Sequence, residues 1–216
     1  MSANLHSWLV ITVVLLLVSC VTPQAVQNRV SSATLTHFEV SGGLGIWTDK
    51  ENISTRMHWQ QRADDFSFDL TAPLGSASLR VDQRDNRTTV TRGNAVVASS
   101  ADPGIALQQA LGLSVPVPVS QIAQWLKGQP GDADTTTFND AGLLQSLRYT
   151  DQSGISWNAV IRKRKVFQDA QVPALITATG GPYNVRIVLK TWQSLKSEPT
   201  EGTPIKSPTR LVIPTQ

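Results

Sequence analysis

The chain has 216 residues, 40% of them hydrophobic and 16% charged, with a formal net charge of +3 and one cysteine. So small a charge gives no electrostatic basis for nucleic acid binding, which needs a dense basic patch, and one cysteine excludes a disulfide framework. The hydrophobic content is enough for one sizeable core, so a single folded domain is expected.

At the N-terminus, residues 8–18 (WLVITVVLLLV) are uncharged. That length suits the core of an export signal and falls short of the roughly 20 apolar residues that cross a bilayer. Residues 1–19 hold no Lys or Arg, so the positive charge usual at the start of such a signal is limited to the amino terminus and His6. The run ends in Leu17-Val18-Ser19-Cys20, which resembles the bacterial lipobox. The resemblance implies cleavage before Cys20 and acylation of its sulfur and new amino group. Covalent acyl groups on Cys20 are then the only non-protein component expected, with no other cofactor. Acylation also accounts for an unpaired cysteine in an exported protein. Val21 in place of Asp after the cysteine resembles the signal for the outer membrane. The outer membrane, with the protein lipid-anchored and facing the periplasm, is the expected location.

Residues 20–24 read as a lipidated tether, and residues 25–36 as a helix with Val26, Val30 and Leu35 on its apolar side. The period then changes to two. Ile53, Thr55, Met57 and Trp59 alternate with polar residues, as do Phe66, Phe68 and Leu70, and then Ala77, Leu79 and Val81. Such runs predict antiparallel strands with one apolar face, continued more weakly over 86–91 and 94–98. A helical insert follows. Asp102 can cap a helix with Pro103 in its first turn and Gly112 near its end, and Val119, Ile122, Ala123 and Leu126 form one face of a second helix stopped by Gly128 and Pro130. Strand character returns at Phe138 and runs through 143–149, 155–162, 172–178 and 183–192, the last two joined at Gly180-Gly181.

About ten or eleven sequential strands with few helices predict a mainly β fold. The expected form is one curved antiparallel sheet, closed or nearly closed into an incomplete barrel, with the helices at its mouth or inside. Residues 25–195 would form this domain, and 196–216, with four prolines, a Pro-rich disordered tail.

Signals for catalysis are missing. His37 and His58 fall in predicted strands with no neighbouring cysteine or acidic residue, no metal-ligand spacing occurs, and His58 reads as an exposed residue on a polar strand face. Gly75-Ser76-Ala77-Ser78 lacks the final glycine of a nucleophile elbow, and no glycine-rich phosphate loop is present. The basic run Arg162-Lys163-Arg164-Lys165 reads as a solvated strand end or hairpin. No enzymatic activity is expected. What stands out is a supply of bulky apolar residues for a concave surface: Trp47, Met57, Trp59, Phe66, Phe68, Leu70, Leu79, Val81, Trp125 and Trp157. Each could be plain core, and together they could line a cavity suited to acyl chains.

Three segments in order carry a family resemblance: Trp59-Gln60-Gln61 followed by residues 66–76 (FSFDLTAPLGS), Val115-Pro116-Val117-Pro118, and residues 125–132 (WLKGQPGD). They resemble the LolB family of outer-membrane lipoprotein receptors, over approximately residues 25–192. The resemblance implies an incomplete antiparallel barrel around an apolar cavity with a helical lid. The implied function is to accept acylated lipoproteins from a LolA-like periplasmic carrier and insert them into the inner leaflet of the outer membrane. It places the family's protruding apolar loop residue on Leu74, between Pro73 and Gly75. A monomer is expected, with no nucleic acid partner and no nucleotide hydrolysis. The rival reading is a structural or assembly lipoprotein whose barrel supports a protein interface, with a fully packed interior.

Overall fold

The structure is a computed structural model, and it describes residues 35–50, 52–73 and 78–195. The expected tether, residues 25–34 of the helix expected over 25–36, Cys20 and the tail beyond 195 lie outside the described residues, and Leu35 and Thr36 are not helical. Eleven strands form one antiparallel sheet: β1 (His37–Trp47), β2 (Asn52–Arg62), β3 (Asp65–Thr71), β4 (Ser78–Arg84), β5 (Arg87–Arg92), β6 (Ala95–Ser100), β7 (Thr135–Phe138), β8 (Leu144–Thr150), β9 (Ser156–Phe167), β10 (Ala170–Gly180) and β11 (Tyr183–Ser194). Two helices, α1 (Pro103–Leu111) and α2 (Val119–Leu126), stand between β6 and β7.

The strand order is β6-β5-β4-β3-β2-β1-β11-β10-β9-β8-β7. The chain therefore starts in the middle of the sheet, meanders outward to β6, crosses by the two helices to β7 at the opposite edge, and meanders back until β11 pairs with β1. The two edge strands are not paired with each other, so the barrel is partly open. Sequence patterning anticipated this sheet because the hairpins are short and β2, β3, β4 and β11 alternate apolar with polar side chains.

Local signals act as their chemistry suggests. Asp102 caps α1, its Oδ1 accepting from the backbone N–H of Gly104 at 2.7 Å and of Ile105 at 3.0 Å, and Gly112 ends the helix in the left-handed conformation. In α2 the expected face of Val119, Ile122, Ala123 and Leu126 is buried. One strand, expected at His37, is given no alternation by the pattern. β1 carries Gly42, Gly43 and Gly45, which blank out its alternation, although Phe38, Val40, Leu44 and Ile46 all point into the core. Phe138 closes β7 and does not open it, and its ring is exposed. The basic run lies within β9, ahead of the β9–β10 turn. There Arg164 donates to the carbonyls of Gln171 and Leu144, and Lys165 to that of Lys190.

The outer face is held by polar cross-strand groups. Arg80 on β4 reaches Asp69 on β3 at 3.1 Å and Asp82 at 2.8 Å. His58, expected without an acidic partner, receives one from the neighbouring strand: Glu39 on β1 lies 3.7 Å away, and Ser41 Oγ is 2.8 Å from Nδ1. Pairing β1 against β2 supplied that neighbour, which no spacing along the chain could show.

Close approach of β1 and β11 sets one strict requirement. At a register shift between Ser41 and Gly42, a Cβ added to Gly42 would stand 1.8 Å from the carbonyl oxygen of Val188. Gly42→Ala is expected to lower the unfolding free energy by about 3 kcal/mol, because the obstacle is backbone and cannot rotate away. A urea unfolding curve with an unchanged midpoint would count against this packing.

Candidate functional site

The candidate site is the inner face of the sheet together with its helical cover. Period two puts Met57 and Trp59 of β2, Phe66, Phe68 and Leu70 of β3, and Leu79 and Val81 of β4 on this face. Register then stacks them: Met57 stands opposite Leu70, Trp59 opposite Phe68, Phe68 opposite Val81 and Leu70 opposite Leu79. The ring of Trp59 stacks on Phe68 at 4.9 Å between centroids and on Phe66 at 4.6 Å. Trp157 comes from β9 and Trp125 from α2. All nine side chains are buried, none more than 7% exposed.

Trp47 does not join them. In β1 the inward positions are Phe38, Val40, Leu44 and Ile46, so parity sends Trp47 to the opposite face. There it is 37% exposed beside Gly45, at whose position a Cβ would lie 3.2 Å from its ring. A shallow outer groove of about 340 Å³ runs past Gly43, Gly45, Trp47 and Arg186.

Two polar groups serve this apolar face, Gln61 buried on it and Asp151 half-buried at its edge, and sequence reading missed both. Gln61 is 2% exposed on the inner side of β2. Its Oε1 accepts from Trp59 Nε1 at 3.1 Å, and its Nε2 donates to the carbonyls of Ala63 and Asp65 at 2.7 and 3.2 Å. One amide thus satisfies an indole and fixes the β2–β3 turn, where Ala63 takes a positive φ of 52°. The only sequence signal was an apolar-parity position occupied by Gln. Asp151, in the β8–β9 turn, plays the same part for Trp157. Its Oδ2 accepts from Trp157 Nε1 at 3.0 Å, while Oδ1 accepts from Ser153 N and Oγ and from Ile155 N. Gly180 leaves room for that indole, since a Cβ there would fall 2.3 Å from Trp157 Cδ2.

The cover is pinned at both ends. After α1, the Tyr183 hydroxyl accepts from the backbone N–H of Ser114 at 2.8 Å and of Val115 at 3.3 Å, tying the interhelix segment to β11. At α2, Gln121 Nε2 donates to Asp132 at 2.9 Å, and Gly128 turns with φ of 72° against Arg164 and Pro173. Burial draws the pKa of Lys127, at the end of α2, below its ordinary value, an effect that Asp64 opposes. Burial likewise lowers that of Arg164. A cavity of about 270 Å³ opens where the helices meet the β8–β9 turn, between Ile105, Pro116, Val117 and Pro118 on one side and Tyr149 and Asp151 on the other. It lies beside the nine inner side chains and is walled by none of them.

Leu74 and Gly75 lie outside the described residues, and Pro73 is exposed. The ends of their loop are nevertheless fixed, because Thr71 pairs with Ser78. Register puts this hairpin at the same end of the sheet as the β1–β2 and β10–β11 turns. Among the described residues no group of three or more His, Cys, Asp or Glu could hold a metal ion, and no helix is long and apolar enough to cross a membrane.

A partly open antiparallel barrel, with an apolar inner face and a two-helix cover, defines the class of half-barrel protein to which this chain belongs. The family model for the outer membrane lipoprotein LolB matches residues 36–192. Among curated relatives, the outer-membrane lipoprotein LolB of Erwinia tasmaniensis is 26% identical over 167 residues, covering 77% of this chain and 79% of the relative. That of Yersinia enterocolitica is 26% identical over 171 residues, covering 79% and 81%. A solved structure of a DUF1329 family protein from Desulfovibrio piger shares the fold with a TM-score of 0.50 at 6% identity, covering 76% of this chain and 87% of that one. The chain belongs to the LolB family: it is an outer-membrane lipoprotein that acts in lipoprotein localisation.

The Asp151 contacts generate a pH prediction. Burial alone would raise its pKa, but hydrogen bonds from Ser153, Trp157 and Ile155 outweigh that and hold it below the ordinary 3.8. A depressed folded-state value stabilises the fold above the unfolded-state pKa, and the contribution is lost as pH falls through the folded value. Asp151→Asn is expected to melt about 2–4 °C lower at pH 7. The gap should close as pH drops below 3.8. Thermal melts that stay parallel across that range would show that the charge contributes nothing.

Proposed function

We propose that this protein takes acylated lipoproteins from a soluble, LolA-like periplasmic carrier by enclosing their acyl chains between sheet and helices, and releases them into the inner leaflet of the outer membrane. The observation that carries this reading is the apolar inner face from Met57 to Val81, whose polar member Gln61 is bonded to Trp59, completed by Trp157 and the α2 residue Trp125. Each buried methylene is worth about 0.8 kcal/mol, so a chain of roughly 16 carbons carries on the order of 12 kcal/mol. A ligand held that strongly cannot cross water unshielded, and an interior of matching apolarity shields it.

The described state is closed, so acyl chains enter by displacing the cover. Helix α2 suits that role. It is 8 residues long, and its N-cap, Pro118, offers no side-chain hydrogen bond. A helix so short has little stability of its own and is held by its apolar face, which an acyl chain can replace. Transfer runs downhill from carrier to receptor to bilayer without nucleotide hydrolysis. The acylated Cys20 holds the protein at its destination, and Leu74, in the connection between β3 and β4, enters the leaflet to open it for cargo. Catalysis has no part in this mechanism.

A second reading has one observation in its favour. The nine inner side chains fill the interior, as a structural lipoprotein supporting a protein interface would require. Carrier loaded with radiolabelled lipoprotein, mixed with purified protein, decides between them: movement of label to this protein supports acyl transfer, and its retention on the carrier supports the scaffold.

Two variants divide the proposed roles. Leu74→Glu should accept cargo from the carrier at the normal rate yet reduce insertion into liposomes at least tenfold; undiminished insertion would remove Leu74 from the mechanism. Cys20→Ala should yield a protein that fractionates as soluble and still accepts cargo. Retention in the membrane pellet after signal cleavage would refute anchoring through that cysteine.

A further inference from the structure

Among the described residues, three buried polar atoms have no hydrogen-bond partner: Thr88 Oγ1, Trp125 Nε1 and Trp192 Nε1. A buried donor left without an acceptor costs about 1–3 kcal/mol, and folded proteins retain few of them. This fold is able to supply indole partners, since Trp59 has Gln61 and Trp157 has Asp151. Trp192 stands near the end of β11 between the rings of Phe38 and Phe167. Trp125 is different in place: it is 1% exposed and belongs to α2, the helix that covers the inner face. The one other buried polar side chain of that helix, Gln121, is already engaged by Asp132.

We propose that Trp125 Nε1 is a specificity anchor that donates a hydrogen bond to the ester or amide carbonyl of a bound acyl chain. This rests on the acyl-binding reading above and adds the chemical feature of the ligand that is recognised. An indole is a donor only, so its partner must be an acceptor. Within an apolar interior the acceptor must also be neutral, because an anion would lose far more hydration than one hydrogen bond returns. A fatty acyl group meets both conditions with its single carbonyl, whereas an alkyl ether of the same length offers no comparable acceptor. The hydrocarbon supplies affinity, and the orphaned indole selects acylated over merely greasy molecules.

The test uses the full mature chain carrying Cys20→Ala and two probes: a cysteinyl lipopeptide bearing two palmitoyl esters on its glyceryl group, and its dihexadecyl ether counterpart. The unmodified indole should bind the ester about 5- to 10-fold more tightly than the ether. Trp125→Phe should lose that preference and bind ester and ether with equal affinity. Replacing Trp125 with 3-benzothienylalanine, which keeps the ring shape without the N–H, guards against a packing defect and should behave likewise. Equal weakening toward both probes in the isosteric variant would show that the indole merely packs. Unchanged preference in both variants would show that its hydrogen goes to water or nowhere, and either result overturns the anchor while leaving acyl binding intact. Failure of the parent protein to bind either probe would overturn acyl binding and the anchor together.

Discussion

The pairing of β1 with β11 joins the first described strand to the last across the middle of the sheet, with residues 38–47 against 184–194. Without it the chain would be two separate meanders, β1 to β6 and β7 to β11, each with an apolar face and nothing to bury it against. With it, eleven strands share one inner face, and a single pair of helices between the two edges covers it. The requirement shows in local detail. Gly42 stands where the carbonyl of Val188 leaves no space for a Cβ, so the seam between the halves depends on a residue that, in the sequence, only interrupts the pattern of a strand.

Burying that face creates a conflict between stability and function. Trp59, Phe66 and Phe68 are stacked and fully covered, and apolar packing of this density is what a stable core needs. An acyl-binding protein needs the same surface to be recoverable. The structure divides these demands between its parts. On the sheet, Gln61 and Asp151 satisfy the indoles they touch and fix the turns beside them, which makes the walls rigid. On the cover, α2 is short, lacks a side-chain N-cap and holds an indole with no partner. The unsatisfied group lies on the element that moves in the proposed mechanism, where a local deficit would favour a ligand able to correct it.

Much of the strand pattern was open to reading from the chain. Period two put Met57, Trp59, Phe66, Phe68, Leu70, Leu79 and Val81 on one buried face, because a shift of one residue would invert every side chain. The α1 cap, the face of α2 and the glycine stops were equally local, set by hydrogen bonds a few residues apart. Trp47 shows where such reading ends. Its size suggested the interior, but parity within β1 places Ile46 inside and Trp47 outside, and three glycines had hidden the parity.

The sequence by itself determined the elements and the faces they bury, since these follow from hydrophobic periodicity and short-range hydrogen bonding. Only the tertiary structure decided which residues meet across strands: Glu39 beside His58, Gln61 and Asp151 as partners of indoles, and Trp125 with none. Partnership of that kind depends on register between strands distant in the chain and on where the cover settles. Those are properties of the whole packed fold, because a buried polar atom is satisfied or orphaned only by what the rest of the chain brings to it.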